Sequence, residues 1–265
     1  MNSRLPAFLL LLALSLASCR GWVLEDRTSC PRLLYFDIQN AGSFGSGTQV
    51  QLHAYTHPSG EPLRETATTV QDIQSHSFGL EVRSTPYVKG YAFIGGESLV
   101  EDGRNWTLPQ GLSYAPLFRF SYLAPVPEES SVVPVEMLKE HAGIRLQFAH
   151  GLRPGEVRIL ANTCGICPET GEPVAGPFEC RPALEADGCY HFNLPRLADE
   201  QLRLDLYGEG RLTETWDLYR ILREEGGVTW KERSLPDVGI VIDLARHTFL
   251  IQVSPWEGQQ LFYEY

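Results

Sequence analysis

The chain has 265 residues, 43% of them hydrophobic, so it is long enough for two ordinary domains or one large β-domain. Acidic residues outnumber Lys and Arg by 33 to 22, and the formal net charge of −11 argues against duplex nucleic acid, whose binding needs clustered basic side chains. The sequence contains no G-x-S-x-G, P-loop or H-E-x-x-H motif, so we expect neither an enzyme nor a bound cofactor.

The N-terminus has the features of a secretory signal. Arg4 precedes an apolar run over residues 5–14, which is too short to span a bilayer as a mature helix. The signal ends in Leu16-Ala17-Ser18-Cys19, which is similar to a bacterial lipobox; the alternative is an ordinary signal peptide with a chance cysteine. We predict a lipoprotein signal peptide over residues 1–18, acylation of the Cys19 thiol and a lipidated tether over residues 19–32.

Strand patterns follow the tether at short intervals. Residues 50–55 alternate between apolar and polar side chains, which is typical of a half-buried strand. Alternation or a short apolar run predicts strands in the first half over residues 33–38, 50–55, 77–83, 87–94, 117–123 and 132–135. Turns between them, such as His57-Pro58-Ser59-Gly60, favour an antiparallel sandwich.

A second β-rich block follows a break at residues 124–131, which contain two prolines, acidic residues and serines. We predict a short helical turn over residues 135–141 and a boundary near residue 137, which gives β-sandwich domains over residues 33–136 and 137–265. The strands predicted in the second half span residues 144–148, 157–160, 190–194, 202–207, 240–244 and 249–253. The spacing of Trp216, Tyr219 and Ile221 predicts one short helix over residues 216–223.

The mature chain has an odd number of cysteines beyond the lipidated one, so at least one thiol is unpaired or bonds between chains. They are Cys30, Cys164, Cys167, Cys180 and Cys189. The last four, spaced C-x₂-C-x₁₂-C-x₈-C, form a possible disulfide or metal cluster. Exported proteins more often use such cysteines in disulfides, and the second pair is too widely spaced for a paired zinc knuckle, so we favour disulfides and no metal. Free thiols are the third alternative.

Tryptophans are the candidate residues for carbohydrate binding. They are Trp22, Trp106, Trp216, Trp230 and Trp256. Core packing is the expected use of most of them. Exposed aromatics such as Trp106 or Trp230 on one face would instead indicate a surface glycan-binding lipoprotein, which is an alternative function.

Three segments carry a family resemblance. The opening combines Cys19, the acidic pair Glu25-Asp26, Cys30-Pro31 and the strand at 33–38. Residues 87–96 place a Tyr before an apolar run that ends in glycines, and the C-terminal pattern has apolar runs at 238–244 and 249–253 before Trp256. Together these segments resemble the FimB-type fimbrillin-associated anchor lipoproteins of anaerobic Gram-negative bacteria.

The resemblance implies two transthyretin-like β-sandwich domains in an outer-membrane lipoprotein at the base of a fimbria. It implies fimbrial subunits (fimbrillin) as partners, joined by β-strand addition, and membrane attachment through the N-terminal lipid. Cleavage after Arg27 or Arg32 would detach such an anchor, so we expect an intact tether and an anchor that limits fimbrial length. An accessory or tip pilin of the same family is the other alternative.

Overall fold

The structure is a computed structural model that describes residues 32–82, 85–126, 130–151 and 153–256. It confirms an all-β fold of sandwiched sheets with two short α-helices. The strands of the first half are β1 (Arg32–Ile38), β2 (Gln49–His57), β3 (Pro62–Thr69), β4 (Leu80–Val82), β5 (Tyr87–Gly95), β6 (Val100–Asp102), β7 (Asn105–Thr107), β8 (Leu117–Pro125), β9 (Ser130–Val135) and β10 (Leu138–Lys139). Those of the second half are β11 (His141–Phe148), β12 (Glu156–Ala161), β13 (Gly165–Ile166), β14 (Pro173–Val174), β15 (Phe178–Cys180), β16 (Tyr190–Pro195), β17 (Leu202–Gly208), β18 (Arg211–Asp217), β19 (Asp237–Asp243) and β20 (Thr248–Ser254). The helices are α1 (Val70–Gln74) and α2 (Leu218–Gly226).

Eight of the ten strands of the first half form two facing sheets. A three-stranded sheet has the order β4-β1-β9, and a five-stranded sheet has the order β10-β8-β5-β2-β3. Alternate side chains of β1 point inward, so Leu34, Phe36 and Ile38 are buried. The Phe36 ring meets Tyr122 of β8 with 4.8 Å between the ring centroids. The apolar faces of the two sheets therefore enclose one core.

Eight of the ten strands of the second half form a second pair of facing sheets. Their strand orders are β16-β11-β19-β20 and β15-β12-β17-β18. Strands β11 and β19 run parallel, and both bury isoleucines, among them Ile144 and Ile240. Trp216 of β18 contacts Phe249 of β20 with 5.3 Å between the ring centroids, so β18 and β20 lie on the same side of this pair. A second hydrophobic cluster fills the space between the sheets.

The helix predicted over residues 216–223 is present, but it begins at Leu218. Trp216 still belongs to β18, where it is opposite Leu204. The Asp217 carboxylate accepts a hydrogen bond of 2.9 Å from the Arg220 N–H, so this residue caps the helix and fixes its start. Gly227 follows the helix in the left-handed conformation that commonly ends helices (φ 66°).

The helical turn predicted over residues 135–141 is wrong. The segment is extended: β10 pairs with β8, and β11 begins at His141. The Asn40 side chain donates to the Met137 carbonyl at 2.9 Å and accepts from the Met137 N–H at 3.0 Å. Hydrogen bonds to distant residues thus override the local helical preference of this segment.

A further sheet joins the two halves in the order β14-β13-β7-β6. Residues 162–188 of the second half are rich in Gly and Pro. Strand β13 lies in this stretch and pairs with β7 of the first half, which places Gly165 opposite Thr107. A Cβ on Gly165 would lie 2.0 Å from the Trp106 carbonyl oxygen, so the close pairing requires glycine. Because strands pair across the predicted boundary near residue 137, the division into two domains there stays a prediction.

Candidate partner-binding edges

The open edges of two facing sheets lie side by side in the first half. Strand β10 pairs with β8 only at Phe118 and Arg119, so within the described residues β8 from Phe120 to Pro125 has no partner on that side. Strand β9 is likewise the edge of its own sheet, with β1 as its only neighbour in the described chain. Such edges present unpaired backbone N–H and C=O groups that an added strand can bind.

A groove of about 500 Å³ lies between these two edges. We call it the β8–β9 groove, and its lining residues are Gln39, Phe120, Ser121, Tyr122, Leu123, Val133, Pro134, Val135, Glu136, Leu138 and Arg233. Aromatic and aliphatic side chains provide much of this lining. The ion pair of Glu136 and Arg233, 2.8 Å apart and largely exposed, adds charge of both signs. The groove therefore suits an extended segment with apolar side chains on one face.

Exposed apolar side chains flank the groove. Leu123 is 60% exposed and Val132 is 49% exposed. Large exposed apolar residues on an edge strand favour association unless something covers them. Pro134 lacks a backbone N–H, as is typical of edge strands, and limits the bonds that β9 can offer. These features indicate that β8 offers the better edge for an added strand.

The other edges are less suited to a partner strand. Strand β3 exposes Arg64 and Glu65, and charges on an edge strand discourage further pairing. Strand β20 exposes Leu250, at 68%, between the polar Thr248 and Gln252. Strand β20 does lie beside the edge strand β18, but the contact between Trp216 and Phe249 fills the space between them. We therefore take the β8–β9 groove as the candidate site.

The predicted attachment point itself lies outside the described residues. The signal peptide, Cys19 and Cys30 all precede Arg32, the first residue of β1. Strand β1 lies in the middle of its sheet, antiparallel to β4 and parallel to β9, and its Leu34 and Phe36 are fully buried. The tether therefore leads directly into a core strand. In the described residues, no helix is long and apolar enough to cross a bilayer.

A buried charge network lies where the two halves meet. Glu140 accepts hydrogen bonds from Arg119 Nη2 at 3.0 Å and from Arg196 Nε at 2.8 Å, and its side chain is 2% exposed. The neighbouring Lys139 is fully buried and ion-pairs with Asp237. Burial lowers the pKa of Lys139, although Asp237 partly opposes this shift. The network ties β8 of the first half to the segment after β16.

His141 is buried beside this network. Its Nδ1 lies 3.1 Å from both the backbone nitrogen and the carbonyl oxygen of Leu117, and its Nε2 has no hydrogen-bond partner among the described residues. Burial, and more weakly Lys139, lower the pKa of His141 to about 3. The imidazole is therefore neutral at physiological pH. The sequence analysis did not predict this network. The run of three ionisable residues, Lys139-Glu140-His141, next to a predicted strand could have indicated it.

The structure spreads the four cysteines of the predicted cluster over different surroundings. No disulfide bond joins any two of them in the described part of the chain, and Cys164 and Cys167 flank β13 in the sheet that joins the two halves. Burial raises the pKa of the Cys180 thiol to about 11, while Cys189 lies just before β16. Within the described residues, metal-capable ligand atoms come together in groups of three or more only at Asp187, Cys189 and His191, a group that holds one of the four cysteines. Disulfide pairing stays a prediction.

The two tryptophans considered as carbohydrate platforms are both buried. Trp106 is 8% exposed and contacts Phe93 with 4.1 Å between the ring centroids. Trp230 is 7% exposed and belongs to the core of the second half. A sugar ring has no access to either face of such side chains, so glycan binding through Trp106 or Trp230 is wrong for this fold. Core packing accounts for both residues.

No family model matches the sequence, and no curated protein is detectably similar to it. Solved structures do share the fold. A candidate polysaccharide-binding protein from Bacteroides thetaiotaomicron superposes with a TM-score of 0.63 at 14% identity, covering 87% of this chain and 100% of that chain. A candidate adhesin from Bacteroides ovatus gives a TM-score of 0.62 at 11% identity, with coverage of 86% and 94%.

The fold is also similar to that of the fimbrial anchor protein Mfa2 from Porphyromonas gingivalis. The TM-score is 0.58 at 11% identity, and the match covers 86% of this chain and 98% of that chain. At such identities the likeness establishes a common architecture over nearly the whole length of both chains. It does not establish a common function.

Proposed function

We propose that this chain is a lipid-anchored outer-membrane protein that holds a fimbria at its base. The observation that carries the proposal is the β8–β9 groove, where two facing sheets are open and apolar side chains are exposed. The shared fold with a fimbrial anchor protein supports it. Membership of the FimB-type family, which the N-terminal segments suggest, is part of the same proposal.

The groove would accept an extended strand of a fimbrial subunit. The unpaired part of β8, from Phe120 to Pro125, is long enough for a partner strand of about 20 Å. Main-chain hydrogen bonds to this edge would give affinity, and the apolar lining would select a strand with alternate apolar residues. The added strand would also cover Leu123, which lines the groove.

Membrane attachment through Cys19 has a direct test. The substitution Cys19→Ala removes the acylated thiol, so we expect the protein and its fimbriae in the medium instead of the outer-membrane fraction. Fimbriae that stay cell-bound at normal length in this variant would refute the anchoring role.

The proposed limit on fimbrial length needs an intact tether, so a mature N-terminus at Thr28 or Leu33 in assembled fimbriae would refute that limit.

Strand addition at the groove has a matched test. Leu123→Lys and Val132→Lys place charges on the two edges of the groove at exposed positions, so folding should be unaffected. Leu250→Lys makes the same change on the β20 edge and serves as the control. We expect the first two variants to lose co-purification of fimbrial subunits with the outer membrane, while the control retains it. Equal retention in all three variants would exclude this groove.

The position of the protein along the fimbria distinguishes an anchor from a tip or accessory pilin. Immunogold labelling should place an anchor at the cell-proximal end of each fimbria. Labelling at the distal end would instead favour the tip pilin. Either outcome is compatible with strand addition at the β8–β9 groove, so the two experiments test separate parts of the proposal.

A further inference from the structure

A turn before β16 brings three different metal-binding side chains together. Asp187 lies in the turn, Gly188 follows it with a left-handed φ of 78°, and Cys189 leads into the strand. The Asp187 carboxylate accepts a hydrogen bond of 2.9 Å from the Cys189 N–H. Because side chains alternate along extended chain, Cys189 and His191 share one face while Tyr190 points into the core. Local geometry thus fixes all three side chains.

The three side chains are close enough to share one ion. One ligand atom from each of Asp187, Cys189 and His191 lies within 4.8 Å of the others, and Asp187 Oδ2 is 2.9 Å from His191 Nε2. Ligands of a tetrahedral zinc ion stand about 2.0–2.3 Å from the metal, hence about 3.3–3.8 Å from one another. Asp187 and His191 are partly exposed, at 44% and 39%, so small rotations of their side chains can close the remaining gap.

The setting of the thiol also fits a ligand. Cys189 is fully buried, yet it is not a member of the hydrophobic cluster of the second half. Its sulfur contacts the Asp187 carbonyl oxygen at 3.9 Å, so it lies against polar atoms of the turn. His191 lines a surface groove of about 530 Å³, which leaves room for water or another small ligand at a fourth coordination position.

We propose that Asp187, Cys189 and His191 form a three-ligand site for a zinc-like divalent metal ion. Thiolate, imidazole and carboxylate are the donors that zinc takes in proteins, and three protein ligands leave one open position. On binding, the Cys189 thiol releases its proton to the solvent. The proton that His191 Nε2 shares with Asp187 also leaves, to the solvent or to Nδ1 of the same ring, so that Nε2 and the carboxylate can each bond to the metal.

One neighbouring side chain opposes binding. Arg145 of β11 lies directly opposite His191 in the sheet, and its Nε is 3.6 Å from Asp187 Oδ2. The guanidinium therefore competes with a cation for the same carboxylate. Removing this charge should tighten metal binding, whereas removing a ligand should weaken it. These opposite directions separate a metal site from an ordinary surface ion pair.

The test is titration of the metal-free mature chain with Co²⁺, followed by displacement with Zn²⁺. We expect one Co²⁺ per chain, intense d–d bands of four-coordinate cobalt and a thiolate-to-cobalt charge-transfer band. Cys189→Ser should abolish the charge-transfer band, and His191→Ala and Asp187→Asn should each weaken binding at least tenfold. Arg145→Gln should bind Co²⁺ more tightly than the parent chain.

Two control variants locate the site. Cys164→Ser removes a half-buried thiol elsewhere, and His150→Ala removes another exposed histidine that pairs with an aspartate, Asp243, at 3.4 Å. Both should leave the titration unchanged. Because His191 is exposed, its variant should fold even if Cys189→Ser does not. A charge-transfer band that survives Cys189→Ser, that disappears in Cys164→Ser, or that never forms overturns the proposal.

Discussion

Replacing Glu140 by Gln should greatly destabilise the fold. The Glu140 carboxylate is 2% exposed and binds two guanidinium groups, those of Arg119, 5% exposed, and Arg196, 13% exposed. The amide keeps the size of the side chain but leaves both arginines without a buried counter-charge and turns an N–H donor toward them. Breaking a buried ion pair by removing one partner costs about 3–5 kcal/mol. We expect a loss of this size in the free energy of unfolding.

Urea denaturation followed by fluorescence and circular dichroism measures this loss. With a slope of about 1–3 kcal/mol per molar, the midpoint should fall by at least about 1 M. Glu136→Gln is the matched control because it breaks the exposed pair with Arg233, and such surface pairs contribute about 0–1 kcal/mol. If Glu140→Gln changes stability no more than Glu136→Gln does, the network does not stabilise the contact between the two halves.

Three further predictions concern stability. Because burial lowers the pKa of His141 to about 3, the unfolded chain binds one more proton than the folded chain between about pH 3 and 6.5. The free energy of unfolding should therefore fall by up to about 1.4 kcal/mol per pH unit as the pH drops through this window. Urea unfolding measured over a pH series should show that His141→Gln removes this contribution. An unchanged pH slope in this variant would refute the assignment. Gly165→Ala should break the β7–β13 pairing, since its Cβ would meet the Trp106 carbonyl oxygen. Limited proteolysis should then cut residues 162–188 faster than in the parent chain. An equal cleavage rate would show that the pairing tolerates a side chain. Phe36→Ala should cost about 3–5 kcal/mol because it empties the centre of the first core, and a change below about 1 kcal/mol would contradict the proposed packing.

Strands with one buried face could be predicted because their sequence carries the alternation. Strands β2, β5, β8 and β11 lie within two or three residues of the predicted positions, since inward-facing apolar residues define them. Strand β3 was missed because residues 62–69 are polar on both faces, and the strand is defined by its hydrogen bonds to β2. The residues of β3 by themselves do not indicate that it pairs with β2.

The candidate site was harder to predict for the same reason. Which edge is open depends on which strands pair. Antiparallel pairing of β10 with β8 could reach Phe120 and beyond only through the residues before Leu138, and the chain there belongs to β9 of the facing sheet. The buried Lys139 and Glu140 look like a solvated segment in sequence, since their partners Asp237 and Arg196 are 98 and 56 residues away. The C-x₂-C pair, Cys164 and Cys167, could be recognised in the sequence. Its position beside β7 could not, because that position depends on the pairing of β13 with β7.

The central position of β1 decides how the molecule would carry mechanical load. If acyl groups hold Cys19 in a bilayer, tension on the tether acts along β1 from Arg32. Strand β1 is parallel to β9 over Leu33 to Ile38, so this force shears several inter-strand bonds together instead of unzipping them one by one. An attachment that resists sliding in this way suits a surface filament exposed to fluid drag.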